Sequence, residues 1–99
     1  MSWTIFLTPQ SEKMLLNIQD KRIRQALKAR ALRLQENPDQ QGKALTRDLD
    51  GLRSVRAIGQ RYRIVYELVP TDQEVWIVAV GLRKAGDRHD VYEQARRSR

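Results

Sequence analysis

The hydrophobic positions change rhythm partway along the chain, and the change divides it into a helical half and a strand half. Trp3-Thr4-Ile5-Phe6-Leu7 is a short aromatic and β-branched run that predicts a first strand. Thr8-Pro9 follows, with threonine suited to cap a helix and proline pre-set for its first position. Met14, Leu15 and Ile18 then share one stripe of that helix. Asp20 is placed to cap a second helix, Lys21 to about Glu36, in which Ile23, Leu27, Ala31 and Leu34 recur at the i, i+4, i+8, i+11 spacing of an amphipathic face. The other faces carry Lys21, Arg22, Arg24, Lys28, Arg30 and Arg33, a soluble cover rather than a recognition helix. Asn37-Pro38 ends it, because the proline ring disfavours helical geometry in the residue before it.

Asp39 to Gly51 is polar and without period, and reads as a connector. Beyond it the pattern is that of strands: Leu52 to Ile58, a turn at Gly59-Gln60, Arg61 to Leu68, a turn over Pro70-Thr71-Asp72-Gln73, and Glu74 to Gly81. Val91 to Arg97 suits a short last helix. The order β-α-α-β-β-β predicts an α+β fold, two helices packed on one face of a largely antiparallel four-stranded sheet. No repeat, low-complexity tract or linker interrupts it, so residues 1–99 are expected to form a single domain.

Composition narrows the chemistry. Cysteine is absent and histidine occurs once, which excludes disulfides, thiolate zinc sites, a cysteine nucleophile and a multi-histidine metal site. Apolar runs are too short for a membrane span, and no secretory signal is visible, so the expectation is a cytoplasmic protein with no membrane, metal or cofactor. There is no P-loop, G-x-G-x-x-G or G-x-S-x-G motif. Nineteen Lys and Arg oppose twelve Asp and Glu, a net charge of +7 that points to an anionic partner where it does more than maintain solubility. The first fifty residues carry four Lys and five Arg, the remainder one Lys and nine Arg. Arginine's planar fork suits bidentate phosphate contacts.

With Gly59-Gln60 as a two-residue hairpin loop, Ile58 faces Arg61, Ala57 faces Tyr62, and Arg56 faces Arg63. Alternation then places Val55, Ala57, Tyr62, Ile64 and Tyr66 toward the helices, with Ser54, Arg56, Arg61 and Arg63 on the open face. Directly opposed like charges are normally destabilising. Either both guanidiniums splay into water, or the surface expects an anion between them. After the last strand, Gly81 and Gly86 let the chain turn away, and Arg83, Arg88, His89 and Tyr92 are candidates to gather at the sheet edge. Arginine binds phosphate, an aromatic ring stacks on a base, and imidazole moves a proton.

Taken together, the β-α-α-β-β-β order, the segment Arg61-Tyr62-Arg63-Ile64-Val65-Tyr66-Glu67, and Val80-Gly81-Leu82-Arg83 followed by Asp90-Val91-Tyr92 resemble a RelE-type toxin of the RelE/ParE toxin–antitoxin superfamily. The resemblance covers nearly the whole chain. It implies a type II toxin that enters the ribosomal A site, contacts the 16S rRNA there, cuts mRNA and is silenced by a cognate antitoxin. It also implies a metal-independent endoribonuclease (mRNA interferase), with Arg63, Arg83 and Tyr92 as catalytic residues, His89 as a substitute base and Arg56 as a phosphate contact; Arg61 on the open face and Arg88 at the sheet edge are further candidate RNA contacts. One departure stands out: Ser54 occupies a position where better-studied members carry a second basic residue. The general base is then either His89 or absent, with the proton lost to water or to a ribosomal group. The alternatives are a ParE-like DNA gyrase poison, which needs no ribonuclease constellation, and a catalytically inactive RNA-binding homologue.

Overall fold

The computed structural model describes residues 2–98. Thr4–Leu7 forms β1, Pro9–Leu16 α1 and Lys21–Leu32 α2. Both helix starts are as the sequence predicts: the Thr8 side chain accepts from Ser11 N, and that of Asp20 from Arg22 N and Ile23 N. Each cap satisfies N–H groups that have no partner within the helix. α2 ends earlier than Glu36 and tightens into a 3₁₀ turn over Arg33–Gln35, before Asn37 takes a left-handed conformation in front of Pro38.

Lys43–Ala44 forms β2, Leu52–Ala57 β3, Tyr62–Val69 β4 and Glu74–Leu82 β5, and Val91–Arg97 forms α3. The sheet therefore has five strands rather than four, in the order β1-β5-β4-β3-β2. The extra strand, β2, lies within the stretch read as a connector; two residues are too few to display an alternation. β1 runs parallel to β5, while the other neighbours are antiparallel.

The helical face of the sheet buries Val55, Ile64, Tyr66, Val75, Ile77 and Val80 against Leu15, Leu27 and Leu34. Full burial of such side chains contributes roughly 1.5–3 kcal/mol each. A bulge at Val65/Tyr66, where Val65 pairs with Ala79 and Tyr66 with Ile77, shifts the phase of β5 so that Ile77 and Val80 face the same way. The Tyr66 hydroxyl donates to Pro38 O and Gln41 O, tying the post-α2 turn to the sheet. Burial pushes its ionisation up, against the opposing effect of Arg53.

The other face is not open along its whole length. Leu52, Val65 and Ala79 pack under Val91 and Ala95 of α3, with Leu45 and Leu49 completing a second core. The apolar runs Ile64-Val65-Tyr66 in β4 and Val75 to Val80 in β5 are buried from both sides. α3 covers only part of the face. The rest holds the site.

Candidate phosphate-binding site

The β3–β4 hairpin pairs Arg56 with Arg63 and Ala57 with Tyr62, as the two-residue loop predicts. Gly59 and Gln60 both take positive φ, 61° and 69°, the pattern of a type I′ turn whose twist matches that of the strands. The ladder ends there, so Ile58 and Arg61 belong to the turn and not to a further pair. Both opposed guanidiniums reach back to one residue: Arg56 Nη1 donates to Gln60 Oε1 at 2.9 Å, and Arg63 Nη1 to Gln60 O. Neutral acceptors hold the two cations in place without cancelling their charge.

Ser54 is 3% exposed, not on an open face, because Tyr92 at the start of α3 lies over it. The Ser54 Oγ and Tyr92 hydroxyl are 3.0 Å apart. Arg30 reaches in from α2, donating from Nε to Arg56 O at 3.3 Å and from Nη1 to Gln41 Oε1 at 2.9 Å. Burial, then the neighbouring Arg33, lowers its pKa from the usual arginine value. Arg30, Lys43, Arg56 and Arg63 thus surround a hollow of about 330 Å³ with Ser54 and Tyr92 on its wall. The described lining residues include no Asp or Glu. Four cations around one concavity raise the local potential for a polyanion far above that of scattered surface charge.

Tyr92 also borders a second hollow, of about 410 Å³, with Arg83, Arg88, Arg96 and Arg97 but also Asp87, Asp90 and Glu93. The Arg83 guanidinium lies over the Tyr92 ring, its carbon 4.5 Å from the centroid, a cation–π contact. Asp90, 4% exposed, takes Arg83 Nη1 at 2.6 Å. It also accepts from Lys84 N and Tyr92 N, capping α3. Burial raises the pKa of this carboxyl, but the hydrogen bonds from Arg83 and Lys84 N outweigh it and hold the group below the usual aspartate value.

The sequence-predicted residues therefore divide. Arg56, Arg63 and Tyr92 meet in the four-cation hollow, and Arg83 and Arg88 stand behind Tyr92. Arg61 is exposed on the hairpin turn and lines neither hollow. His89 lines neither of these hollows but a third, shared with Gln10, Lys13, Asn17 and Gln94. There its Nε2 accepts from Arg88 Nε at 3.3 Å. Lys43 and Arg30 were not singled out by the sequence, since nothing local marks a lysine on a two-residue strand or one arginine among many. Asp90 did carry a readable signal: an Asp directly before a short helix is a cap. Among the described residues, no three His, Asp or Glu side chains converge as metal ligands, and no helix is long and apolar enough to cross a membrane.

A family model described as the ParE toxin of type II toxin–antitoxin systems, parDE, matches residues 5–85. The chain belongs to this family. It is a type II toxin of the RelE/ParE superfamily, as its RelE-type motifs suggested. No curated protein matches it. Among solved structures, it is similar to a chain of a RelBE toxin–antitoxin complex from Mycobacterium tuberculosis, with 28% identity, a TM-score of 0.74, and 84% of this chain and 93% of that one covered. A mutant of the E. coli toxin RelE in the free state gives 20% identity and a TM-score of 0.77 over 99% of this toxin and 98% of that chain. A chain of the chromosomal ParDE system of P. aeruginosa gives 12% and 0.65 over 82% of this toxin and 96% of that chain. The last two likenesses establish the fold.

Proposed function

We propose that this toxin is a ribosome-dependent mRNA endoribonuclease acting in the A site. The observation that carries this reading is the hollow of Arg30, Lys43, Arg56 and Arg63, free of lining carboxylates, with an aromatic ring on its wall. In the proposed reaction the ribose 2′-OH attacks the adjacent phosphorus in line, and the bond to the 5′-oxygen breaks. The products are a 2′,3′-cyclic phosphate and a 5′-hydroxyl. Arg63 stabilises the charge of the phosphorane and supports the leaving oxygen, while Arg56, with Lys43 and Arg30, holds the phosphate. Tyr92 stacks on a base and orients it, and Arg83 backs its ring. His89 lines a different hollow, so the 2′-OH proton goes to water or to a ribosomal group, water returns a proton to the leaving 5′-oxygen, and rate comes from positioning and charge stabilisation. An acidic antitoxin segment is the natural partner for this surface, and similar toxins have been solved with their antitoxins.

The second reading is a gyrase poison, favoured by the ParE family model. Induction of the toxin followed by mapping of message ends and of gyrase-linked DNA breaks separates the two. The ribonuclease reading requires A-site ends that fall by about a hundredfold in Arg63→Ala, the loss typical of removing one donor to a developing oxyanion. DNA breaks without truncated messages would replace it with the gyrase reading.

A further inference from the structure

Arg83 is a long side chain just beyond the end of β5, and its rotamer entropy opposes fixing it in one place. It is nevertheless folded over the Tyr92 ring. What holds it is the buried carboxylate of Asp90. Oδ2 of that group accepts from Arg83 Nη1 at 2.6 Å and from Tyr92 N at 3.1 Å, while Oδ1 accepts from Lys84 N. A single side chain thus binds the strand exit, the first turn of α3 and the cation on the ring. On the far side, the Tyr92 hydroxyl meets Ser54 at 3.0 Å. The ring is gripped at its backbone, its face and its tip, and two of the three grips pass through Asp90.

We infer that Asp90 is a positioning residue for RNA cleavage: it clamps Arg83 onto Tyr92 and so fixes the ring at the wall of the four-cation hollow. The inference rests on the ribonuclease reading for its consequence, but not for its geometry. A carboxylate that served only as a helix cap would be replaceable by any good cap. Serine caps as well as aspartate does, but it carries no charge and is too short to reach the guanidinium. Asp90→Ser therefore separates the two roles, and the isosteric Asp90→Asn serves where the serine variant is unstable.

The experiment has two arms on the full-length toxin. In the first, nuclear magnetic resonance follows the Arg83 side-chain protons, which the Tyr92 ring current shifts, together with the backbone amides of α3. The expected result is that the Arg83 signals move to the position of a free arginine while the α3 amides stay helical. In the second, A-site cleavage is measured. With the ring loosened but phosphate binding intact, kcat falls by about tenfold while KM stays within about twofold. In an Arg83→Ala background, Asp90→Ser adds little further loss, because it acts through Arg83. Arg83 signals unchanged in both variants, or signals lost with kcat intact, would overturn the inference. A wild-type toxin that cuts no RNA would instead sink the ribonuclease reading, and the first arm, which needs no RNA, still decides whether Asp90 holds Arg83.

Discussion

His89 bears most directly on how the proton leaves. Imidazole is the only side chain here whose unperturbed pKa lies near neutrality, which made it the natural base by chemistry alone. In the proposed reaction it is not used, because it lines a hollow with residues of α1 and not the four-cation hollow, and its backbone N–H donates to Asp87 Oδ1 at 2.7 Å. His89→Ala is accordingly expected to leave single-turnover cleavage within about threefold from pH 5.5 to 8.5, since general-base removal would be worth about 10²–10⁴. A hundredfold loss with a vanished acidic limb would restore it as the base. The contrast with Arg56 and Arg63 shows what the chain makes legible. Their pairing follows from strand period and loop length, which are local. The aim of His89 depends on where the segment after β5 is pinned, and that is decided by Asp90 and Lys84 at the end of a strand.

β2 is the shortest strand and the one that closes the hollow, yet nothing in its composition announces it. Its geometry rests on Gly42, which precedes it with φ +62°. A Cβ there would stand 2.1 Å from Ser54 O and 2.6 Å from Val55 Cγ1, contacts that require backbone movement. Gly59 has nearly the same φ, 61°, with nothing within 4 Å of where a Cβ would lie. The pair isolates crowding from conformational preference. Gly59→Ala should cost about 1 kcal/mol, the left-handed penalty alone. Gly42→Ala should cost about 2 kcal/mol more, because overpacking is added to it. Urea unfolding with unchanged m-values measures both; equal losses would show that β2 yields without resistance. α1, α2 and the three longer strands were legible because their apolar periods are long enough to read. The second core was not read from the sequence, which left that side of the sheet open: α3 is only seven residues long and turns just Val91 and Ala95 inward.

Net charge alone cannot tell a phosphate site from a merely basic protein, but the dependence of binding on salt can. A cation that neutralises a phosphate releases condensed counterions, and for a single strand the slope of log K against log salt changes by about 0.7 for each such contact. Arg56 lines the hollow, whereas Lys21 at the start of α2 is exposed and lies outside it. Each substitution by alanine removes one positive charge from the same +7 total. If the toxin's attraction for RNA were a diffuse field, the two variants would weaken binding alike. If the phosphate sits in the hollow, Arg56→Ala lowers the slope by about 0.7 and Lys21→Ala leaves it nearly unchanged. Titration of a single-stranded RNA between 50 and 200 mM salt, on the order of a Debye length of 10 Å, separates these cases. Equal slopes in the two variants would move the phosphate out of the hollow and leave the four cations without a shared ligand.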